Sequence, residues 1–365
     1  MLKKHHTSDL FRYRTAIVGL SKKDRKKNVK FQPSAAMKDF LDYDIKYPDL
    51  VIRLMEFFQL RSGEKPTKTI LGFIESYKVP EGETPLQPDI IGRICDRLCD
   101  MRKMTCLRKT DAMRLNDVFF AFPIDQALYQ KHHGMLVHHF NSYVYGMEYI
   151  YRAYKERTLP VVVTLESGDL SMGSCFRIFD GIATAKHCLI DGSPVAIRGY
   201  SKEQLERCPV FVSANPDMDI AFIKTGEAFI FNNAEPRVLD NVLVMGYPKL
   251  PLFLDFCTGE KANISAMADL RLTPTLGSIA AEGEIYNPRN LPKMLLVTAK
   301  MYGGNSGGPV INEEGYVVGI ATGLPDGEGF SDDHVGYGMV YPIQSLIDMI
   351  DESYIIKVEF ADFKD

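Results

Sequence analysis

Short segments with the composition of β-strands follow one another from residue 160 to about residue 352, separated by Gly, Pro and Asn. Short strands at this spacing are typical of all-β domains. The segments begin near Val161, Met172, Gly181, Pro194, Pro209, Asp219, Asn241, Gly277, Met294, Gly308, Tyr316 and Tyr337. They form two groups of six on either side of Glu235-Pro236, and we therefore predict two antiparallel barrels.

A serine lies between paired glycines in the second group, in the stretch Gly303-Gly304-Asn305-Ser306-Gly307-Gly308. Glycine tolerates backbone angles that a side chain forbids, so this serine can sit on a tight turn with its hydroxyl exposed. The same turn leaves backbone N–H groups free to converge on a negative oxygen beside the serine. Taken alone, such a stretch is also typical of a plain turn. The nucleophile hypothesis for Ser306, with an oxyanion hole from the N–H groups of Gly304 and Ser306, therefore needs partners elsewhere.

Two upstream elements supply a base and a carboxylate. Thr184-Ala185-Lys186-His187-Cys188, preceded by Gly173-Ser174-Cys175-Phe176, is similar to the first hairpin and base-histidine element of trypsin-like serine proteases. Asp219-Ile220-Ala221 resembles their Asp-Ile-Ala strand, and Gly-Asn-Ser-Gly-Gly-Pro at 304–309 resembles the nucleophile signature of the HtrA/Deg branch. The resemblance covers residues 160–352. It implies a chymotrypsin-type double barrel with Ser306 as nucleophile, His187 as base and Asp219 as the residue that orients the base.

The order and spacing of these elements agree with that assignment. His187, Asp219 and Ser306 follow one another at intervals of 32 and 87 residues, which suits His and Asp in the first barrel and Ser in the second. Asp217 is a rival for the orienting carboxylate. Asp219 is preferred because it directly precedes the apolar Ile-Ala run.

The resemblance also suggests where a substrate side chain would bind. The residue six before the nucleophile lies at the base of the primary specificity pocket in trypsin-like enzymes, and here it is Lys300. A lysine pointing into the pocket would favour an acidic substrate side chain; alternatively, Lys300 extends to the surface, as long charged side chains often do. Ala321 and Thr322 are further candidates for this pocket.

The N-terminal third of the chain has a different pattern. Apolar residues at helical spacing predict three helices between residues 34 and 101, and two strands follow in the range 104–122. Three helices and a hairpin in this order resemble a winged-helix domain, which we place at residues 34–122. Basic residues in 93–114, together with a net charge of +8 in residues 1–30, suit a polyanion or a protein partner. A solvated, mobile arm at residues 1–33 is the alternative.

One long helix is expected from Ile124 to about Thr158. It would form a connecting segment at residues 123–159. It contains His132, His133, His138 and His139. Positions seven apart lie about 10 Å apart along a helix axis, so one metal ion would not easily bridge them. This helix is expected to pack against the protease, the winged-helix-like domain or a second copy of the chain.

Composition limits the remaining possibilities. The sequence contains no run of about 18 apolar residues, and its N-terminus lacks the apolar block of a secretory signal. Seven cysteines, an odd number without regular spacing, favour free thiols, including Cys175 and Cys188 near the base histidine. We therefore expect a cytoplasmic protein. Only 13 residues follow Glu352, which predicts a short tail at 353–365 and no room for a peptide-binding PDZ module.

The combined prediction is a multidomain α+β chain whose protease domain spans 160–352. It is expected to be a serine endopeptidase that needs no cofactor or metal, has protein or peptide substrates, and is controlled or targeted by its N-terminal region. Two alternatives stay open. The barrels could serve as a peptide sensor or pseudoprotease, or the chain could be a DNA- or partner-binding regulator that carries a protease-derived domain.

Overall fold

The structure is a computed structural model that describes residues 40, 42–60, 63–110, 113–124, 126–229, 233–248, 271–283, 293–323 and 337–363. Its contacts divide the chain into residues 1–40 and residues 41–365, and all the elements below belong to the second unit. The basic arm predicted at residues 1–33 lies outside the described residues.

Short helices and one hairpin make up the region before residue 122. These elements are α1 (Tyr43–Lys46), α2 (Leu50–Phe58), α3 (Ile70–Ser76), α4 (Pro88–Asp100), β1 (Met104–Arg108) and β2 (Val118–Ala121). Helix α4 begins at Pro88, where the missing N–H would be unsatisfied in any case. The core of this region contains Phe58, whose ring lies 6.5 Å from that of Phe73 and 5.7 Å from that of Phe119. The predicted order of helices and hairpin is present; the winged-helix assignment stays a prediction.

Several basic residues of the range 93–114 are paired within this region. Arg114 contacts both carboxylate oxygens of Asp96, at 2.9 and 3.0 Å, and its Nε lies 2.9 Å from Asp117. Lys109 Nζ lies 2.9 Å from the same Asp96, and Arg93 lies 2.9 Å from Asp89. These ion pairs reduce the positive charge that this surface can offer to a polyanion.

The single helix predicted at 124–158 is two helices, α5 (Gln126–Tyr145) and α6 (Met147–Tyr154). Gly146 separates them with a φ of +72°, a conformation that glycine adopts without steric cost. A further irregularity occurs at His132, whose φ is −128°. Strand β3 then begins at Thr158, so Pro160 lies inside a strand rather than at a helix end. Periodicity alone did not reveal the break because apolar and aromatic residues continue across Gly146.

The twelve predicted strands are all present, each beginning within a few residues of its predicted start. The first six are β3 (Thr158–Thr164), β4 (Leu170–Ile178), β5 (Gly181–Thr184), β6 (Val195–Ile197), β7 (Val210–Ser213) and β8 (Ala221–Ile223). Two short helices, α7 (His187–Ile190) and α8 (Lys202–Glu206), precede β6 and β7. The next six are β9 (Asn241–Gly246), β10 (Thr273–Gly283), β11 (Met294–Val297), β12 (Pro309–Asn312), β13 (Val317–Gly323) and β14 (Gly338–Pro342). The second six close into a barrel in the order β10-β11-β14-β13-β12-β9. The double-barrel prediction is confirmed.

The segment predicted as a C-terminal tail is instead part of the first barrel. After helix α9 (Ile343–Asp351), strand β15 (Ser353–Ile356) pairs with β7 at one edge of the sheet β15-β7-β8-β5-β4-β3-β6. Farther on, the N–H of Val195 in β6 donates to Glu359 O at 2.8 Å, and Ala361 N–H donates to Val195 O at 2.8 Å. Residues 353–361 thus contact both edges of the first sheet. Partners more than 130 residues away make this role invisible in local sequence.

Helices α5 and α6 pack against the turn between β12 and β13. The ring of His138 and the hydroxyl of Tyr154 both bond to the carbonyl of Gly315, at 2.9 and 2.8 Å. His139 Nδ1 lies 2.7 Å from the hydroxyl of Tyr316, and the two rings stack. Gly315 has a φ of +80°, and a Cβ there would collide with Ser142 Oγ. The long-helix region therefore packs on the second barrel. It also contacts the N-terminal region, where Asn141 Nδ2 donates to Pro48 O at 2.9 Å, so two of the three expected partners are present.

The His139 contact predicts acid sensitivity. Burial lowers the pKa of His139 from 6.5 to about 4, although nearby Glu314 opposes the shift. A depressed folded-state pKa means that the contribution to stability is complete above pH 6.5 and is lost as pH falls towards 4. We expect the free energy of unfolding of the wild type to fall by up to about 2 kcal/mol between pH 6.5 and pH 5 because of this residue. Asparagine does not titrate in this range, so urea unfolding of His139→Asn should show a smaller fall between the same two pH values. Equal losses in both proteins would contradict the assignment.

Candidate active site

The pairing of β5 with β8 brings a histidine and an aspartate together. These strands are antiparallel, and Thr184 at the end of β5 pairs with Ala221 at the start of β8. The residues that follow β5 and those that precede β8 consequently lie at the same end of the sheet. His187 begins the short helix α7 (His187–Ile190) just after β5, and Asp219 lies two residues before β8.

Asp219 holds His187 through both carboxylate oxygens. His187 Nδ1 lies 2.6 Å from Asp219 Oδ2, and the backbone N–H of His187 donates to Oδ1 at 2.8 Å. A third donor comes from the second barrel, since Thr322 Oγ1 lies 2.7 Å from Asp219 Oδ2. These three contacts fix the carboxylate. The imidazole ring is therefore held with Nδ1 on Asp219, and Nε2 points away from Asp219.

These contacts shift both pKa values in opposite directions. For Asp219, burial raises the pKa, but the hydrogen bonds from His187 and Thr322 and the charge of His187 outweigh it and hold the pKa below 3.8. For His187, burial lowers the pKa, but the Asp219 carboxylate, with a contribution from the Cys188 thiol, raises it above 6.5. The pair therefore favours an ionised carboxylate that stabilises a positive imidazolium.

Ser306 lies on the turn that leads into β12 and is half-buried. It lines a cavity of about 240 Å³ together with His187, Cys188 and Gly304. Among the described residues, no hydrogen bond joins the Ser306 hydroxyl to the His187 ring. Such bonds are often long without substrate and shorten when it binds. The serine and the histidine nevertheless open onto the same space.

Two backbone donors beside Ser306 are available. Within the described chain, the N–H groups of Gly304 and Ser306 make no hydrogen bond. By contrast, their neighbour Asn305 donates to Tyr302 O at 3.0 Å and Gly308 donates to Asn305 O at 2.9 Å. Gly304 has a φ of +103°, and a Cβ there would collide with the carbonyl oxygen of Tyr247. Glycine is therefore required at this position, and the two free N–H groups have the character of an oxyanion hole.

The predicted pocket residues lie in different surroundings. Lys300 is exposed, with its Nζ 5.1 Å from the centre of the Tyr302 ring, whereas Ala321 is buried. Thr322 bonds to Asp219, a role that sequence reasoning missed because its partner lies 103 residues away. None of the three lines the cavity at Ser306. Their role in substrate selection stays a prediction.

The rival carboxylate and the cysteines are also placed. Asp217 accepts no bond from His187; its N–H donates to Asn215 Oδ1 at 3.1 Å. Cys175 and Cys188 are free thiols in the first barrel, and Cys188 Sγ lies 3.5 Å from Ser306 O.

In the part of the chain that the structure describes, no group of three or more His, Cys, Asp or Glu could hold a metal ion. No helix among those residues is long and apolar enough to cross a membrane.

Comparison with solved structures finds bacterial proteases at low similarity. The active form of the Rv3671c protease from M. tuberculosis is 19% identical, covering 57% of this chain and 86% of its own, with a TM-score of 0.42. A serine endoprotease from Yersinia pestis is 22% identical, covering 55% and 64%, with a TM-score of 0.38. Because both scores lie below 0.5, the fold assignment depends on the strand topology described above.

Sequence comparison finds similarity to known proteases over part of the chain. Protease Do-like 2, chloroplastic, from Arabidopsis thaliana is 28% identical over 159 residues, which are 41% of this chain and 23% of that protein. This chain thus matches less than a quarter of the length of that relative. Residues 173–320 match the family model of the trypsin-like peptidase domain, and the matched range contains His187, Asp219 and Ser306. The chain therefore carries a trypsin-like peptidase domain.

Proposed function

We propose that this chain is a serine endopeptidase in which Ser306, His187 and Asp219 form the catalytic triad. The observation that carries the proposal is the 2.6 Å contact between His187 and Asp219 at the edge of a cavity that Ser306 shares. Structural ion pairs also shift pKa values, so the pair alone would not be decisive. The nucleophile and two unbonded N–H groups at the same cavity make peptide-bond hydrolysis the best-supported reaction.

Each group then has a defined part in the reaction. The Ser306 hydroxyl attacks the peptide carbonyl while His187 accepts its proton, and the positive ring is stabilised by Asp219. The N–H groups of Gly304 and Ser306 donate to the negative oxygen of the tetrahedral intermediate. His187 returns the proton to the leaving amine, and a water molecule repeats the sequence on the acyl-enzyme. Every proton is carried by a side chain of the triad.

Control by the N-terminal region is the finer part of the proposal. Pro160 lies in β3, paired with Ser174, and its carbonyl accepts the N–H of Arg198 at 3.3 Å. Cleavage there would interrupt a strand of the first barrel. Asn305 is moreover neutral and offers no ion pair to a newly formed N-terminal amine. These features favour an enzyme that is active without cleavage near Pro160. We place its control in α5 and α6, because His138 and Tyr154 of these helices bond to Gly315 in the turn between β12 and β13.

The other expected roles receive less support. Ion pairs at Arg93, Lys109 and Arg114 weaken the case for a polyanion at residues 93–114. Binding of nucleic acid or protein there, self-association and a cytoplasmic location stay predictions. A peptide sensor without catalysis would have no need for two unbonded N–H donors beside a serine, so we place it second.

Peptide hydrolysis by the uncut chain tests the proposal. Wild type should cleave an unfolded protein or a fluorogenic peptide library, and Ser306→Ala or His187→Ala should each lower kcat on the order of 10⁶-fold. Mass spectrometry before and after the assay checks that the chain is intact. Activity that persists in folded Ser306→Ala would contradict the mechanism.

The Asp219 assignment predicts a change in pH dependence. Asp219→Asn removes the charge that raises the pKa of His187, so NMR titration of the ring should give a lower pKa than in wild type. Because the neutral ring is the base, the acid limb of kcat/KM should move to lower pH while its plateau falls about 10⁴-fold.

Asp217→Asn is the matched control, since this carboxylate is two residues away and makes no bond to the ring. It should leave both the His187 titration and the plateau close to wild type. A larger effect at Asp217 than at Asp219 would reverse the assignment of the orienting residue.

A further inference from the structure

Ser174 contacts both residues that supply the proposed oxyanion hole. It lies on β4 of the first barrel and is fully buried. Its hydroxyl donates to the carbonyl of Gly304 at 2.7 Å, and its backbone N–H donates to the carbonyl of Ser306 at 2.8 Å. One residue of the first barrel thus holds two alternate peptide groups of a loop that belongs to the second.

Two further contacts fix Ser174 itself. The N–H of Tyr247 donates to Ser174 Oγ at 2.9 Å, and Thr184 Oγ1 donates to Ser174 O at 2.7 Å. The hydroxyl proton is therefore directed at Gly304, since Oγ already accepts from Tyr247. Neither the hydroxyl nor the backbone of Ser174 is free to touch a substrate.

These bonds restrict the orientation of the Gly304 N–H. The peptide group between Gly304 and Asn305 is held at both ends, its carbonyl by Ser174 Oγ and its N–H by Tyr302 O. The Gly304 N–H belongs to the preceding peptide group, 303–304, which turns relative to this fixed plane only by rotation about the φ and ψ bonds of Gly304. Packing of Gly304 against Tyr247 and Pro248 opposes this rotation.

The loop needs such an anchor because it carries an unfavourable group. Asn305 is fully buried, and neither its Nδ2 nor its Oδ1 has a hydrogen-bond partner within the described structure. A buried unpaired polar group costs about 1–3 kcal/mol. This cost favours rearrangement of the 302–306 turn, and the hydrogen bonds from Ser174 oppose it.

We propose that Ser174 is a positioning residue that keeps the N–H groups of Gly304 and Ser306 directed at the reacting carbonyl oxygen. The inference depends on the proposed peptidase function and adds a residue that acts only through the oxyanion hole. Loss of its hydroxyl leaves the Gly304 carbonyl and the Tyr247 N–H buried without this partner. Reorientation of the 304–305 peptide group then becomes the way for that carbonyl to find a new donor.

The test compares Ser174→Ala with wild type on a peptide substrate and on a peptide boronic acid. The boronate adduct of Ser306 is tetrahedral and negatively charged, so its affinity reports the oxyanion hole without turnover. Removing one oxyanion donor costs about 10²–10³-fold in rate, and a donor that is misdirected for part of the time should cost less. We expect kcat to fall roughly 10–100-fold and boronate affinity by a similar factor, with KM within about 3-fold of wild type.

Thr158→Val is the matched control for the loss of a buried hydroxyl. Thr158 is also fully buried, and its Oγ1 donates to a backbone carbonyl, that of Tyr154, at 3.1 Å. This variant should melt at a lower temperature than wild type with unchanged kcat and boronate affinity. Ser174→Cys retains a weak donor and should give intermediate values; it also serves as the test variant if Ser174→Ala does not fold.

The outcomes separate this inference from the function on which it depends. Parallel losses of kcat and boronate affinity, absent in Thr158→Val, support it. If the wild type is active and Ser174→Ala is equally active, the inference is overturned. It is also overturned if Thr158→Val loses as much kcat as Ser174→Ala does. A wild type without peptidase activity would overturn the proposed function itself, and this inference with it.

Discussion

Two of the hydrogen bonds that join the barrels run in opposite directions, and the geometry of the site depends on them. Thr322 of the second barrel donates to Asp219 of the first at 2.7 Å, while Ser174 of the first donates to Gly304 of the second at 2.7 Å. Each barrel thus fixes a group that the other contributes. Charge-assisted hydrogen bonds to a carboxylate are among the stronger ones in proteins, so the Thr322 bond favours one docking of the barrels.

The apolar core between the barrels supports the same arrangement. Phe176 and Phe222 of the first barrel belong to one buried cluster with Met245 and Ile320 of the second. Tyr154 of α6 is part of this cluster and also bonds to Gly315. Burial of large side chains contributes most of the free energy of such contacts but little direction. Directional hydrogen bonds at the rim are needed to place His187 and Ser306 at one cavity.

The hairpin of β12 and β13 links the N-terminal helices to the site. Its turn at Gly315 and Tyr316 contacts His138 and His139, while its other end follows Ser306 and carries Thr322. A displacement of α5 would therefore act on the strands that position Ser306 and Thr322, the residue that donates to the Asp219 carboxylate. This connection is a physical route for the regulation that we propose.

Local sequence patterns were sufficient for the strands and for the three segments that the structure brings to one site. Strand periodicity and turn residues are short-range signals, and the elements around His187, Asp219 and Ser306 are continuous segments. The break at Gly146, the pairing of residues 353–361 with the first barrel, and the bonds of Thr322 and Ser174 were not foreseen. The pairing of residues 353–361 and the bonds from Thr322 to Asp219 and from Ser174 to Gly304 and Ser306 all join residues more than 100 positions apart. Such contacts depend on how the elements assemble, which a single sequence does not state.

Covalent labelling tests the central claim most directly. A fluorophosphonate reacts with a serine hydroxyl that is activated by a base and faces an oxyanion hole, and peptide mapping identifies the modified residue. We predict one phosphonylated serine, Ser306, with labelling abolished in Ser306→Ala and nearly abolished in His187→Ala. Equal labelling of folded Ser306→Ala, or attachment at another serine in the wild type, would contradict the account.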